Sequence, residues 1–249
     1  MEKAHSTTFD NQLIELESVD STNNYAMGLI HAGLASSGQV CLARHQWAGK
    51  GQRGKEWQDE AGQNLMMSLI IAPQGLLLSR QYLLSAAVTL GILDATPHTR
   101  DGEWRIKWPN DIYWNDRKAA GILIESVIQG ENWPWAVVGI GMNLNQISFP
   151  EDLSHAISLK QITGMDYEPV SLAREMVPAI QSRIDLLRTD PMKILEDFNH
   201  VLYKNGQTVG LKKGDELIVA SLQGVNDQGL LLTDSGTFTF GEVSFVVNR

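Results

Sequence analysis

The chain has 249 residues, 43% of them hydrophobic and 20% charged, enough for one large domain or a medium domain with a small companion, and an ordinary globular core is expected. A formal charge of −9 argues against non-specific DNA binding, which needs a broad basic face, though not against a locally basic pocket. The single cysteine, Cys41, excludes a disulfide framework within the chain and reads as a buried strand thiol in the apolar run Val40–Ala43. Residues 1–8 lack the apolar stretch of a secretory signal, and no run approaches membrane-span length, so a cytoplasmic protein away from membranes is expected.

Leu13–Glu17 alternates and predicts a short strand, after which Asp20 or Ser21 caps a helix through about Ala35 with Tyr25, Leu29, Ile30 and Leu34 on one stripe. Gln39–His45 is a strand that feeds into a glycine-rich loop. Asn64–Ala72 is a largely apolar strand ended by Pro73, and Ser79 to about Ala95 is a helix. Strands follow at Glu103–Trp108, Asp111–Trp114, Lys118–Ile128 and Trp135–Asn145, the middle two joined by a hairpin turn at Asn115–Arg117. This meander predicts an α+β fold, a mixed and largely antiparallel sheet flanked by helices. Ser171–Arg188 is a helix interrupted or kinked near Pro178; Asp190-Pro191 then starts a second one that runs to about Tyr203. Beyond it, short strands and turns mark a small all-β module, giving domains at 1–203 and 204–249.

Four segments carry chemistry. In Gln46–Trp57, three glycines (Gly49, Gly51, Gly54) alternate with three cations (Lys50, Arg53, Lys55). Such a loop can bring backbone N–H groups close to an anion, or it can be a solvated turn. Its spacing matches neither a P-loop nor a dinucleotide-binding fingerprint. Val19–Asn23 places hydroxyls and an amide at a helix start, where they either cap the helix or bind a neutral polar group. Lys107-Trp-Pro-Asn-Asp111 and Asp116-Arg-Lys-Ala-Ala-Gly121 bracket the hairpin. Alternation puts Lys118, Ala120 and Ile122 on one side, either an ammonium facing a ligand pocket or an exposed hairpin lysine. Asp111 is the carboxylate suited to magnesium. In Val138-Gly-Ile-Gly-Met-Asn143, glycines inside a strand mark a close approach by ligand or backbone, or a bulge. Met66 and Met67 read as core, and the six histidines show no metal-ligand spacing.

In this order, Asp20-Ser-Thr-Asn23, Gln46-x-x-Gly-Lys-Gly-Gln-Arg-Gly-Lys-x-Trp57, Lys107-Trp-Pro-Asn-Asp111, Asp116-Arg-Lys-x-x-Gly-Ile-Leu-Ile-Glu125 and Val138-Gly-Ile-Gly-Met-Asn143 resemble the biotin–protein ligases over about residues 12–249. The resemblance implies a class II synthetase-like catalytic domain with a small C-terminal SH3-like β-barrel. It implies an enzyme that joins biotin to ATP as biotinyl-5′-AMP and transfers it to a lysine of a biotin carboxyl carrier protein or domain. With no room for the N-terminal DNA-binding domain that many members carry, the monofunctional type is expected. By matching position, Ser21, Thr22, Asn23 and Gln46 approach the biotin ureido ring, and Gly49, Lys50, Gly51, Gln52 and Gly121 complete the biotin site. Lys118 is the catalytic ammonium, meeting the biotin carboxylate and then the phosphoryl oxygens. Lys50, Arg53, Lys55, Trp57, Asn110, Lys118 and Asn143 serve the nucleotide, and Asp111 takes Mg2+.

Where many members have arginines in the loop, this chain has Lys50, Gln52 and Lys55, without the planar fork that makes bidentate phosphate contacts. The glycine loop and the stretch from Gln146 to Ser158 are expected to be the lids of the site. A lipoate-type ligase and a non-catalytic biotin-binding regulator are the rival readings, and exposed sheet edges leave pairing into a homodimer open.

Overall fold

The computed structural model describes residues 9–58, 60–99 and 101–246; the N-terminal octapeptide read above lies outside them. A seven-stranded mixed sheet is built from β1 (Leu13–Leu16), β2 (Val40–Ala43), β3 (Asn64–Ile71), β4 (Trp104–Lys107), β5 (Asp111–Trp114), β6 (Arg117–Gln129) and β7 (Asn132–Asn143). Its order is β1-β2-β3-β7-β6-β5-β4. Only β1 and β2 run parallel, joined by α1 (Thr22–His31) as a crossover, while β4 to β7 form the expected antiparallel meander.

One face of the sheet carries the main core. Successive residues of β3 alternate, so Leu65, Met67, Leu69 and Ile71 meet α2 (Gln81–Ala95) and α4 (Pro169–Thr189), while Ile70 joins Cys41 and Val137 against Ala26 of α1 on the other face. Cys41 is therefore the buried thiol expected, and burial pushes its pKa up to about 12. A short helix α3 (Leu159–Thr163), closed by a Ser158–Gln161 capping box, precedes α4. Asp190 caps α5 (Pro191–His200) by accepting from the Lys193 N–H, as Asp190-Pro191 predicted. Among the described residues no helix is long and apolar enough to cross a membrane.

Three expectations about helices are corrected. α1 ends at His31, not near Ala35, because Gly33 turns left-handed at φ +69° and Leu34 is left exposed. Of the two alternatives at Pro178, interruption is corrected: the proline sits inside one continuous α4. Ser21 holds the N-cap position of α1 but caps nothing with its side chain; the Gln46 Oε1 accepts from the Thr22 N–H at 2.7 Å instead.

The C-terminal strands β8 (Thr208–Lys213), β9 (Glu216–Val225), β10 (Leu231–Thr233), β11 (Gly236–Phe238) and β12 (Ser244–Phe245) form a five-stranded antiparallel sheet, ordered β11-β10-β9-β8-β12. Its inner residues, among them Val209, Leu222 and Phe238, continue the main core. The join is polar as well: the Asn199 amide donates to the Val225 carbonyl at 2.9 Å and accepts from its N–H at 2.7 Å, and the Trp108 indole N–H donates to the Gly229 carbonyl.

The tightest helix contact is at Gly91 of α2, where an added Cβ would lie 2.5 Å from the Ile180 Cα of α4. Gly91→Ala gains up to about 1 kcal/mol of helix propensity but forces the two backbones apart, and overpacking costs typically about 1–3 kcal/mol. A lower urea midpoint with an unchanged m-value is the expected result; an equal or higher midpoint would show that the two helices do not meet here.

Candidate active site

The cavity lies on the sheet face that α1 covers only in part. Register explains why it exists. One row across the sheet, Leu65–Met142–Ala120–Ile112–Ile106, is apolar throughout and belongs to the core. The neighbouring row points to the other face and reads Met66–Gly141–Gly121–Asp111–Lys107. Two adjacent glycines in the middle of that row leave a trough in the sheet. A Cβ on Gly141 would sit 2.5 Å from the Trp57 indole, and one on Gly121 would sit 3.1 Å from the Lys118 Nζ. Gly139 likewise makes room for the Asn23 amide. The strand glycines thus mark close approach by protein side chains that shape the site.

The resulting cavity of about 750 Å³ is lined by Lys50, Arg53, Lys55, Lys107 and Lys118 against two carboxylates, Glu56 and Asp111. In a chain of charge −9, five cations facing two acids in one hollow favour a polyanionic ligand.

At one end lie the side chains of the α1 start. Ser68 of β3 is within 2.7 Å of the Thr22 Oγ1 and donates to the Asn23 Oδ1 at 2.6 Å. Thr22 donates from its hydroxyl and its backbone N–H to the Gln46 Oε1. Ser21, Thr22, Asn23 and Gln46 are all buried and all line the cavity, so they are not merely caps. This end offers neutral hydrogen-bonding groups, suited to a neutral polar ring.

At the other end Lys118 faces Asp111, Nζ to Oδ1 2.7 Å, with the ammonium 5.8 Å from the Trp57 ring centroid. Strict alternation would have put Lys118 with Ala120 and Ile122. The structure differs: Tyr113 pairs with Lys118 but Ile112 pairs with Ala120, so a bulge in β6 at Ala119 turns Lys118 onto the face of Gly121, while Ala120 and Ile122 stay in the core. Asp111 comes from the segment after the cis Trp108–Pro109 peptide, and the adjacent Asn110 amide donates to the Ile122 carbonyl.

Lys107, unassigned from sequence, also lines the cavity; its Nζ donates to the Tyr113 hydroxyl at 3.1 Å. Burial holds its pKa below the usual lysine range, partly offset by Asp111, and burial pushes the Tyr113 phenol up.

The glycine loop folds back on itself, with Lys50 opposite Glu56 and a short turn at Gln52–Gly54. The N–H groups of Gly51, Lys55 and Trp57 donate within the loop, to Lys55, Gln52 and Gly49. The anion nest expected there is correspondingly reduced to the remaining amides. Lys50, Gly51, Gln52, Lys55 and Trp57 line the cavity as expected, and Gln52 reaches the Ile122 carbonyl at 3.5 Å.

Three assigned residues stand elsewhere or are otherwise engaged. Gly49 is buried behind the wall, where an added Cβ would lie 2.5 Å from the Trp57 carbonyl; it permits packing and does not line the cavity. Arg53, in a left-handed conformation (φ 56°), lines the wall but donates from Nη1 to the Gly241 carbonyl at 2.9 Å. Asn143 lines the cavity with its amide donated to the Ile157 carbonyl at 3.2 Å rather than held out to a base.

Two groups of lining residues come from outside the four segments. Phe149, Leu153 and Ala156 come from the stretch expected to be a lid. Phe240, Gly241, Val243, Ser244 and Phe245 come from the C-terminal sheet, whose share in the cavity no local motif announces.

A model described as the biotin/lipoate A/B protein ligase family matches residues 15–143, more than half of the chain. Biotin--[acetyl-CoA-carboxylase] ligase of Paracoccus denitrificans is 32% identical over 226 residues, covering 87% of this chain and 92% of the relative. Bifunctional ligase/repressor BirA of Salmonella typhimurium is 29% identical over 239 residues, 94% of this chain and 72% of the relative. The solved biotin protein ligase from Aquifex aeolicus in complex with biotin and ATP matches with a TM-score of 0.78 at 26% identity, covering 95% of this chain and 99% of that one. By the family match over more than half of its length and by these relatives, the chain belongs to the biotin/lipoate A/B protein ligase family, as a biotin protein ligase.

Proposed function

We propose that biotin lies along the glycine trough with its ureido ring among Ser21, Thr22, Asn23 and Gln46 and its carboxylate at Lys118. ATP then occupies the cationic end, beside Trp57, Asn110 and the loop residues Lys50 and Lys55. The observation that carries this reading is the Lys118 ammonium held at the Asp111 end of the trough while the buried hydroxyls and amides gather at the α1 start.

In the first half-reaction a carboxylate oxygen of biotin attacks the α-phosphorus, the bond to the β-phosphate oxygen breaks, and pyrophosphate leaves. Two anions must meet, so the protein's task is alignment and charge neutralisation, and no protein nucleophile is required. In the second, the neutral amine of a lysine on a biotin carboxyl carrier domain attacks the acyl carbon. The acyl–oxygen bond breaks, AMP leaves, and the amine gives its proton to solvent.

Magnesium fits this scheme as a companion of ATP. Asp111 is a single carboxylate already paired to Lys118, and among the described residues no group of three or more His, Cys, Asp or Glu side chains could hold a metal. An ion held by one carboxylate and the substrate's phosphates is the usual way magnesium binds a nucleotide.

Lys118→Ala is expected to raise the barrier of biotin-dependent pyrophosphate exchange by about 2–4 kcal/mol, the scale for losing one preorganised donor. Exchange within a factor of two of the wild type would rule out the assigned role. The lipoate alternative is decided by substrate: biotin, and not lipoate, should release pyrophosphate from ATP and label a carrier domain. Lipoate turnover at an equal rate would make the reading wrong at its centre.

A further inference from the structure

Glu125 lies on β6 four residues beyond Gly121, on the trough side of the sheet, outside the cavity lining. Its two carboxylate oxygens have different partners. Oε2 accepts from the Asn23 Nδ2 at 2.7 Å, and Oε1 meets the Lys50 Nζ at 3.3 Å. The Asn23 Oδ1 in turn accepts from the Ser68 hydroxyl at 2.6 Å. An ionised carboxylate only accepts, so the amide of Asn23 has one favourable orientation between Ser68 and Glu125; turned over, its oxygen would face another oxygen. Glu125, with the Leu123 carbonyl that accepts from the same Nδ2 at a longer 3.4 Å, sets which amide atom Asn23 directs where. The same carboxylate holds the glycine loop by Lys50, and this bond is weak: the side chains are 39% and 29% exposed, where solvent screens an ion pair.

We infer that Glu125 is a positioning residue that couples the biotin pocket to the glycine loop, one oxygen fixing the Asn23 amide and the other parking the Lys50 ammonium until a phosphate anion takes it. The inference rests on the functional reading above and adds to it a residue that touches no substrate. It gives the replacement of arginine by lysine at position 50 a consequence: a point charge can leave one oxygen for another without breaking a bidentate fork.

The test uses the purified full chain and calorimetry with two probes, biotin and inorganic pyrophosphate. Glu125→Gln keeps the side-chain acceptor for Asn23 and removes the charge from Lys50; Glu125→Ala removes both and leaves the Asn23 Nδ2 only the longer bond to the Leu123 carbonyl. Glu125→Ala should weaken biotin binding about tenfold or more, the scale of a lost hydrogen bond to a charged group, while Glu125→Gln stays within about threefold. Glu125→Gln should bind pyrophosphate up to about fivefold more tightly, because Lys50 has no partner to leave, and this gain should vanish in a Lys50→Met background.

Wild-type biotin affinity in Glu125→Ala, or pyrophosphate binding no tighter in Glu125→Gln, overturns the inference while the functional reading stands. If Glu125→Ala does not fold, the glutamine variant alone and with Lys50→Met decides. A wild-type chain that binds no biotin overturns the functional reading and this inference with it.

Discussion

A sheet face with no side chain where one belongs is the constraint on which the site depends. Gly121 and Gly141 sit side by side on β6 and β7, and Gly139 lies two residues away on the same face. Each glycine inside a strand forfeits roughly 0.5–1 kcal/mol relative to alanine, so the gap works against stability. Only the space it leaves lets the Trp57 indole, the Lys118 ammonium and the Asn23 amide lie flat on the sheet. The loss is offset on the opposite face. There the next row of the same strands, Leu65, Met142, Ala120, Ile112 and Ile106, is buried in the main core. The two faces of one set of strands thus divide stability from function.

The neutral end depends on a second constraint, hydrogen bonding among buried polar side chains. Ser68 is fully buried, and Thr22 and Asn23 nearly so. A hydroxyl or amide buried without a partner costs about 1–3 kcal/mol by mutational measures. Here Thr22 donates to Gln46, Ser68 donates to Asn23 and Asn23 donates to Glu125, with the Thr22 and Ser68 hydroxyl oxygens 2.7 Å apart. Gln46 also ties the start of α1 to the root of the glycine loop by accepting from the Thr22 N–H, so the helix start and the loop are fixed by the same amide.

Much of this was legible in the sequence where local chemistry decides the outcome. Asn115–Arg117 forced a hairpin, Asp190-Pro191 forced a helix start, and the strand spacing from 103 to 145 forced a meander. The chemical segments, read together, located most of the cavity lining. What was not legible depends on tertiary register. A one-residue bulge at Ala119 reverses the face of Lys118, and alternation alone cannot reveal it. Gly49 looked like its neighbours in the loop, yet its role is set by the Trp57 carbonyl packed against it. Gly33 ended α1 although the apolar stripe continued to Leu34. Phe240 to Phe245 enter the cavity because the C-terminal sheet packs beside Trp108, a contact between residues more than a hundred apart in sequence. Long-range packing of that kind leaves no periodic trace.

Three of the five cations that line the hollow rest on a carboxylate or carbonyl oxygen in this chain of charge −9. Lys118 rests against Asp111, Lys50 against Glu125, and Arg53 on the Gly241 carbonyl. Each partner is partly exposed, so each resting bond is screened and modest. A triphosphate carries several charges and many acceptor oxygens, and in the enclosed cavity its attraction for each cation is felt at lower effective dielectric than at the open surface. On the proposed reading, ligand binding is then an exchange of partners. On that reading the desolvation of the ammonium groups has been met in part before the ligand arrives, and the Glu125 carboxylate remains at hand to receive Lys50 again when the products depart. A site built on strong, fully buried ion pairs would hold its cations too firmly for this, and one with no partners for them would leave the folded chain to bear their repulsion.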